Sequence, residues 1–130
     1  MDWIQQAVRE FGSTLDIDDL AFDASEGLEL ALASGEIIGI AYSPDLIFQE
    51  MLVYVSAPLL FDPLAQIEHA LRECNARYGE APYLQAVTAE QRLIVALRLD
   101  ARAFDLPALD QAVWRLVDVQ HQAAAARQVA

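Results

Sequence analysis

The sequence predicts an α+β fold in the order α-β-β-β-α-β-β-α, a twisted antiparallel sheet with flanking helices. Three observations predict it. Residues 28–55 hold three short apolar segments parted by Ser34-Gly35 and Ser43-Pro44-Asp45, the pattern of a meander with tight connections. Residues 92–100 alternate, with Leu93, Val95, Leu97 and Leu99 on one face and Arg92, Ile94, Ala96, Arg98 and Asp100 on the other. Apolar residues at helical spacing stand before, between and after these strand segments.

Residues 2–14 begin with an amphipathic helix. Trp3, Ile4, Ala7, Val8 and Phe11 form one stripe, Asp2 is placed to cap it, and Gly12 is placed to stop it. Residues 16–26 carry Asp16, Asp18, Asp19, Asp23 and Glu26, which reads as an acidic loop with a short extended piece at residues 20–22. Strands follow at 28–33, 36–42 and 49–55. In the first, Leu28, Leu30 and Leu32 alternate with Glu29, Ala31 and Ala33, a period of two.

Pro58 and Pro63 bracket a connection, and Asp62-Pro63 is a helix start, since proline at the first helical position forfeits no hydrogen bond. The helix at 63–78 places Leu64, Ile67, Leu71, Cys74 and Tyr78 on one stripe and ends at Gly79. Its Glu68 and Arg72 stand at i, i+4 in the favourable order. Strands at 83–88 and 92–100 form a hairpin across Ala89-Glu90-Gln91. Asp105 and Pro107 open the last helix, whose stripe is Leu106, Leu109, Val113, Leu116, Val117 and Gln120, with Trp114 off it. The tail from about residue 124 is expected to fray. No internal repeat or linker divides residues 1–130, so one domain is expected.

The chain has 130 residues, 55% of them hydrophobic, and a formal net charge of −12. A disordered acidic chain would be poor in Leu, Ile and Val; this one is rich in them and folds. All eight Lys and Arg residues are arginine. The acidic balance excludes nucleic acid as a partner, because phosphates demand a basic footprint. It likewise excludes an anionic membrane surface. No apolar run approaches the roughly 20 residues of a membrane helix, and residues 1–4 show no signal-peptide pattern. With Cys74 the only cysteine, no intrachain disulfide can form. A cytoplasmic protein is expected.

The search for chemistry returns nothing that outweighs a structural role. Started at Asp16, a calcium loop would need an oxygen ligand at Leu20 and a glycine at Ala21, so the pattern fails. His69 and Cys74 lie five apart on one helix and face different ways, which argues against a thiolate–imidazole pair. Phosphate loops, nucleophile elbows and C-x-x-C motifs are absent. The chain is therefore expected to be no enzyme, with no cofactor and no metal. What stands out is apolar surplus. Met51, Val53 and Val55 oppose Leu52 and Tyr54, and Ile37 opposes Ile38 and Ile40. Strands apolar on both faces must be covered twice, by this chain's helices or by a partner.

On these residues the sequence resembles the class I chaperones of bacterial type III secretion, the Tir-chaperone family. The resemblance rests on the opening Met1-Asp2-Trp3-Ile4, the segment LDIDDLAFDAS at residues 15–25, the strand-rich middle and the long helix from Leu106. It spans nearly the whole chain. The resemblance implies a cytoplasmic homodimer that binds the N-terminal segment of a secreted effector in extended form, keeping it soluble and export-competent. It further implies effector contact at Trp3, Ile4, Phe11, Leu28, Leu30, Ile38 and Ile40. By the same resemblance the dimer forms through Ile67, Leu71, Cys74, Leu84 and Ala86. A branch of the family pairs with a related chaperone, so a heterodimer is the alternative. A protein-interaction or regulatory module of the same fold without a secretion client is the second functional reading. A small-ligand-binding protein or enzyme is the third.

Overall fold

A computed structural model describes residues 2–23, 27–44, 49–76 and 84–127. Expectations placed on the Asp2 side chain, Glu26, Asp45, Tyr78, Gly79, Tyr83 and the last three residues fall outside what is described. The elements are α1 (Asp2–Thr14), β1 (Leu28–Ala31), β2 (Ile37–Pro44), β3 (Gln49–Pro58), α2 (Pro63–Ala76), β4 (Leu84–Ala89), β5 (Arg92–Asp100) and α3 (Leu106–Ala125). They follow the expected order. The five strands form one antiparallel sheet in the spatial order β1-β2-β3-β5-β4.

Cross-strand register decides which side chains share a face. Leu28 pairs with Ile40, Ile40 with Val53, Val53 with Leu97, and Leu97 with Leu84. This face carries the core. Ile38, Ile40, Met51, Val53, Val55, Leu93, Val95 and Leu97 are buried there in one cluster with Ile4, Val8 and Phe11 of α1 and Leu109, Val113 and Leu116 of α3. Burying a Leu, Ile or Phe side chain is worth roughly 1.5–3 kcal/mol, so this cluster dominates the favourable side of folding.

Caps and buried amides fix the helices to that face. The Ala65 amide donates to Asp62 Oδ1 at 3.2 Å, and the Ala108 amide donates to Asp105 Oδ1 at 2.9 Å. Buried Gln66 accepts from the Leu60 amide at 2.9 Å and donates to the Pro58 carbonyl at 3.1 Å, holding α2 against the end of β3. Gln5 of α1 brackets Phe22, donating to its carbonyl and accepting from its amide. The acidic loop is thereby pinned with Phe22 buried. The carboxylate of Glu36, buried beyond the first hairpin turn, meets His121 Nε2 of α3 at 2.7 Å.

Several boundaries move from where the sequence puts them. Gly12 does not stop α1, which continues to Thr14. A Cβ at Gly12 would lie 2.8 Å from Leu20 Cβ, so the glycine admits the loop that folds back on the helix. β2 runs to Pro44 and β3 to Pro58, because a proline at a strand end forfeits only one ladder donor. β1 is shorter than expected, ending at Ala31, and α3 stays helical through Ala125, anchored by fully buried Ala123. The second hairpin turns on two residues, Glu90 and Gln91, both at positive φ, while Ala89 pairs with Arg92.

Candidate protein-binding site

Among the described residues, the second face of the sheet is uncovered. Alternation places Ile37, Leu52, Tyr54, Ile94 and Ala96 there, and all are only part-buried. They floor an open trough of about 820 Å³ that crosses the sheet from Glu29 on β1 to Val87 on β4. Among the described residues, no helix lies over it.

Two arginines shape this trough. Arg92 Nε donates to Ser56 Oγ at 2.7 Å, and its Nη2 donates to the carbonyls of Gly35 and Ser56 at 2.8 and 3.1 Å. Its head is thus fastened beside the first hairpin. Arg98 donates to Gln85 Oε1 at 3.3 Å and lies 3.7 Å from Glu50 Oε2. The Tyr54 ring crosses β2 at Gly39, where a Cβ would come within 1.8 Å of Tyr54 Cζ. Its hydroxyl donates to Glu29 Oε2 at 2.7 Å. Burial, then the hydrogen bond and the charge of Glu29, push the Tyr54 phenol up to about 12, so it stays a neutral donor through the physiological range.

A second surface left uncovered by the described residues lies on α2 and β4. Most of the apolar stripe of α2 does not point into the core, although Cys74 packs against it. Its buried side is Ala65, Gln66 and Ala70, while Leu64 and Leu71 are about half exposed. Leu60 and Phe61 precede them on the surface, Phe61 being 87% exposed beneath the Arg127 guanidinium at 5.6 Å. Val87 of β4 is 59% exposed. A small groove between α2 and β4 is lined by Ile67, Leu71, Ala86 and Val87. Ala86 and Val87 also border the sheet trough, so the two surfaces are continuous.

The residues singled out from the sequence separate accordingly. Of those assigned to effector contact, Ile4, Phe11, Ile38 and Ile40 are buried in the core, at 1% exposure or less, and offer no surface to a partner. Ile38 and Ile40 lie on the sheet face that α1 and α3 cover, and Ile4 and Phe11 are among the α1 side chains that cover it. Leu28 and Leu30 are half-buried at the sheet edge, and Trp3 is 47% exposed with its Nε1 donating to the Ala101 carbonyl at 2.8 Å. Of the dimer residues, Leu84 is buried on the helix-covered face, whereas Ile67, Leu71, Cys74 and Ala86 keep accessible surface. The Cys74 thiol is pushed up by burial and by neighbouring Glu73, which keeps it protonated and weakly nucleophilic at neutral pH.

Sequence reasoning noted Ile37, Leu52 and Tyr54 as apolar on a second face, and Leu64 on the helix stripe, but assigned none of them to a site; Ile94, Leu60, Phe61 and Val87 were missed. A signal for the open face was present. Arg92 and Arg98 share a face with Ile94, whereas no charged residue falls among Leu93, Val95 and Leu97. Among the described residues, no group of three or more His, Cys, Asp or Glu side chains could hold a metal, and no helix is long and apolar enough to cross a membrane.

No family model and no curated protein sequence matches the chain. Solved structures do. The Yersinia pestis type III secretion chaperone SycH, in complex with a stable fragment of YscM2, aligns over 92% of this chain and 98% of its own, with TM-score 0.66 and 13% identity. The HopA1–SchA chaperone–effector complex aligns over 94% and 93%, with TM-score 0.65 and 14% identity. The heterodimeric ExoU–SpcU complex from the type III secretion system of Pseudomonas aeruginosa aligns over 93% and 94%, with TM-score 0.59 and 19% identity. This chain has the fold found in type III secretion chaperones.

Proposed function

We propose that this chain, acting as one unit over residues 1–130, is a cytoplasmic class I type III secretion chaperone. It binds the N-terminal segment of a secreted effector in extended form and keeps it soluble and export-competent. The observation that carries this reading is the uncovered apolar face of the sheet, on a fold whose solved counterparts include chaperone–effector complexes. An acidic chain of net charge −12 keeps such a surface soluble while it waits for a client. No bond is made or broken in this function. Main-chain pairing at a sheet edge supplies affinity, and pockets for alternate side chains supply selectivity.

The effector segment lies along the β1 edge, against Leu28 and Leu30, and across the open face over Ile37, Leu52 and Ile94. Co-expression with N-terminal fragments of candidate effectors tests this. A stable complex supports it; failure of every fragment, together with little binding of an apolar dye, removes it. Substitutions locate the contact. Leu30→Asp, at a half-buried edge position, leaves circular dichroism and folding intact within about 2 kcal/mol while abolishing capture. The same change at fully buried Ile38 loses the fold by several kcal/mol.

The homodimer forms through the outward stripe of α2 and the edge of β4, at Ile67, Leu71, Cys74 and Ala86 with Leu64 and Val87 added. Leu71→Asp at 47% exposure costs the monomer little and places a charge inside the interface. Light scattering on the purified variant should return the mass of one chain where the parent protein returns two. A dimeric Leu71→Asp protein would assign the contact elsewhere, and a monomeric parent would favour pairing with a related chaperone.

A further inference from the structure

Among the described residues the sheet has two unpaired edges, β1 and β4, and they differ in charge. β4 reads Leu-Gln-Ala-Val-Thr-Ala and carries none. β1 reads Leu-Glu-Leu-Ala, with Glu29 exposed on the open face and Leu28 and Leu30 half-buried on the other. Among the described residues, no strand pairs with the outer side of β1. The Glu29 carboxylate is not a loose surface charge. Gly39, its partner across the ladder, has no side chain. The Tyr54 ring therefore reaches over β2 and holds Glu29 Oε2 through its hydroxyl at 2.7 Å. One carboxylate oxygen is thereby fixed, and the group is held at the rim of an edge whose main-chain donors and acceptors face outward.

We infer that Glu29 is a specificity-determining residue that selects a Lys or Arg in an extended partner segment added to β1. The selected side chain lies on the open face, and its sequence neighbours point apolar side chains toward Leu28 and Leu30. This rests on the proposed reading that an extended segment is bound. A strand laid beside β1 brings one side chain opposite Glu29, within the 4.5–5.5 Å Cβ separation at which cross-strand pairs interact, and a like charge there is unfavourable. Charge complementarity identifies the occupant. A second copy pairing through β1 would bring acidic edges together in a chain already at −12, whereas a basic segment meets opposite charge both locally and at long range. The uncharged β4 edge has no such preference and suits a copy of this chain.

The test uses the full-length protein and three synthetic nine-residue peptides of alternating Val and Thr, identical except for Arg, Gln or Glu at the central Thr position. Amide resonances report where they bind, and titration reports how tightly. The Arg peptide should perturb the amides of β1 and bind about threefold more tightly than the Gln peptide, with the Glu peptide weakest. Glu29→Gln should level the three, Glu29→Arg should invert their order, and Glu68→Gln on α2 should leave the order unchanged. An order unmoved by Glu29→Arg, perturbations confined to β4, or no binding by any peptide each overturns the inference. Capture of an effector fragment is judged separately. If capture succeeds while the order stays fixed, the chaperone reading stands without a charge filter at Glu29.

Discussion

Gly39→Val is expected to destabilise the protein by about 2–3 kcal/mol, although Gly39 sits mid-strand, where valine has the higher intrinsic preference. A Cβ at this position would lie 1.8 Å from Tyr54 Cζ and 2.2 Å from both Cε atoms, so the ring lies flat on the glycine and cannot stay. Displacing it exposes the ring face, breaks the hydrogen bond to Glu29 and leaves the trough without part of its floor. The β propensity of valine returns up to about 1 kcal/mol, which the clash exceeds. A double-mutant cycle separates the terms. Once Tyr54→Ala has removed the ring, Gly39→Val should be nearly harmless, giving a coupling of more than about 1 kcal/mol between the two sites by urea denaturation. Additive effects, within about 0.5 kcal/mol, would place the Tyr54 ring away from Gly39.

Element order was legible in the sequence because each element carries its own period. The alternation at 28–32 and 93–99, and the spacing of Leu109, Val113, Leu116 and Val117, reflect faces that are buried in the structure. Strand ends were less legible. Pro44 and Pro58 read as breaks, yet a terminal proline in a strand loses one donor and no more, so both were taken into the ladder. Gly12 read as a stop because glycine commonly ends helices; its smallness is used against Leu20 instead.

The site was less legible than the fold, for one physical reason. Periodicity sorts side chains into faces but does not say what lies opposite each face. Ile38 and Ile40 were as apolar as Ile37 and Leu52, and the helices cover the first pair. Register carries the missing information. Ile94 shares its face with Arg92 and Arg98 and pairs across the sheet with Ser56, so polar neighbours mark the open side. The stripe of α2 misled in the opposite sense. Leu64 and Leu71 follow the core pattern, but small Ala65 and Ala70 and hydrogen-bonded Gln66 form the buried side, leaving the larger residues for another surface.

The second large effect is expected at Gln120, a polar residue in the core stripe of α3. It is 1% exposed, and its Nε2 donates to the carbonyls of Val55 and Leu93 at 2.8 and 2.7 Å, tying the helix to the two central strands. Gln120→Leu keeps the volume and removes both donors; the Val55 and Leu93 carbonyls remain in strands paired on both sides, and the change also removes Gln120 Oε1, which is buried without a partner among the described residues. Each donated hydrogen bond is worth about 0.5–1.5 kcal/mol, so a loss of about 2 kcal/mol is expected, independent of pH. Gln120→Glu has the same shape and behaves differently. An ionised carboxylate facing two carbonyl oxygens in the core is strongly disfavoured, so burial raises its pKa in the folded state above the unfolded value of about 4.3. The protonated form, with one donor, fits best below that unfolded value. Its contribution is lost as pH rises through the folded pKa, since folding must then keep a proton that the unfolded chain releases. Measured against the parent protein at each pH, Gln120→Glu should therefore be more destabilised at pH 7 than at pH 4.5, while Gln120→Leu should show no trend. If Gln120→Glu shows no pH trend either, the side chain reaches water, and the two strand carbonyls do not depend on α3.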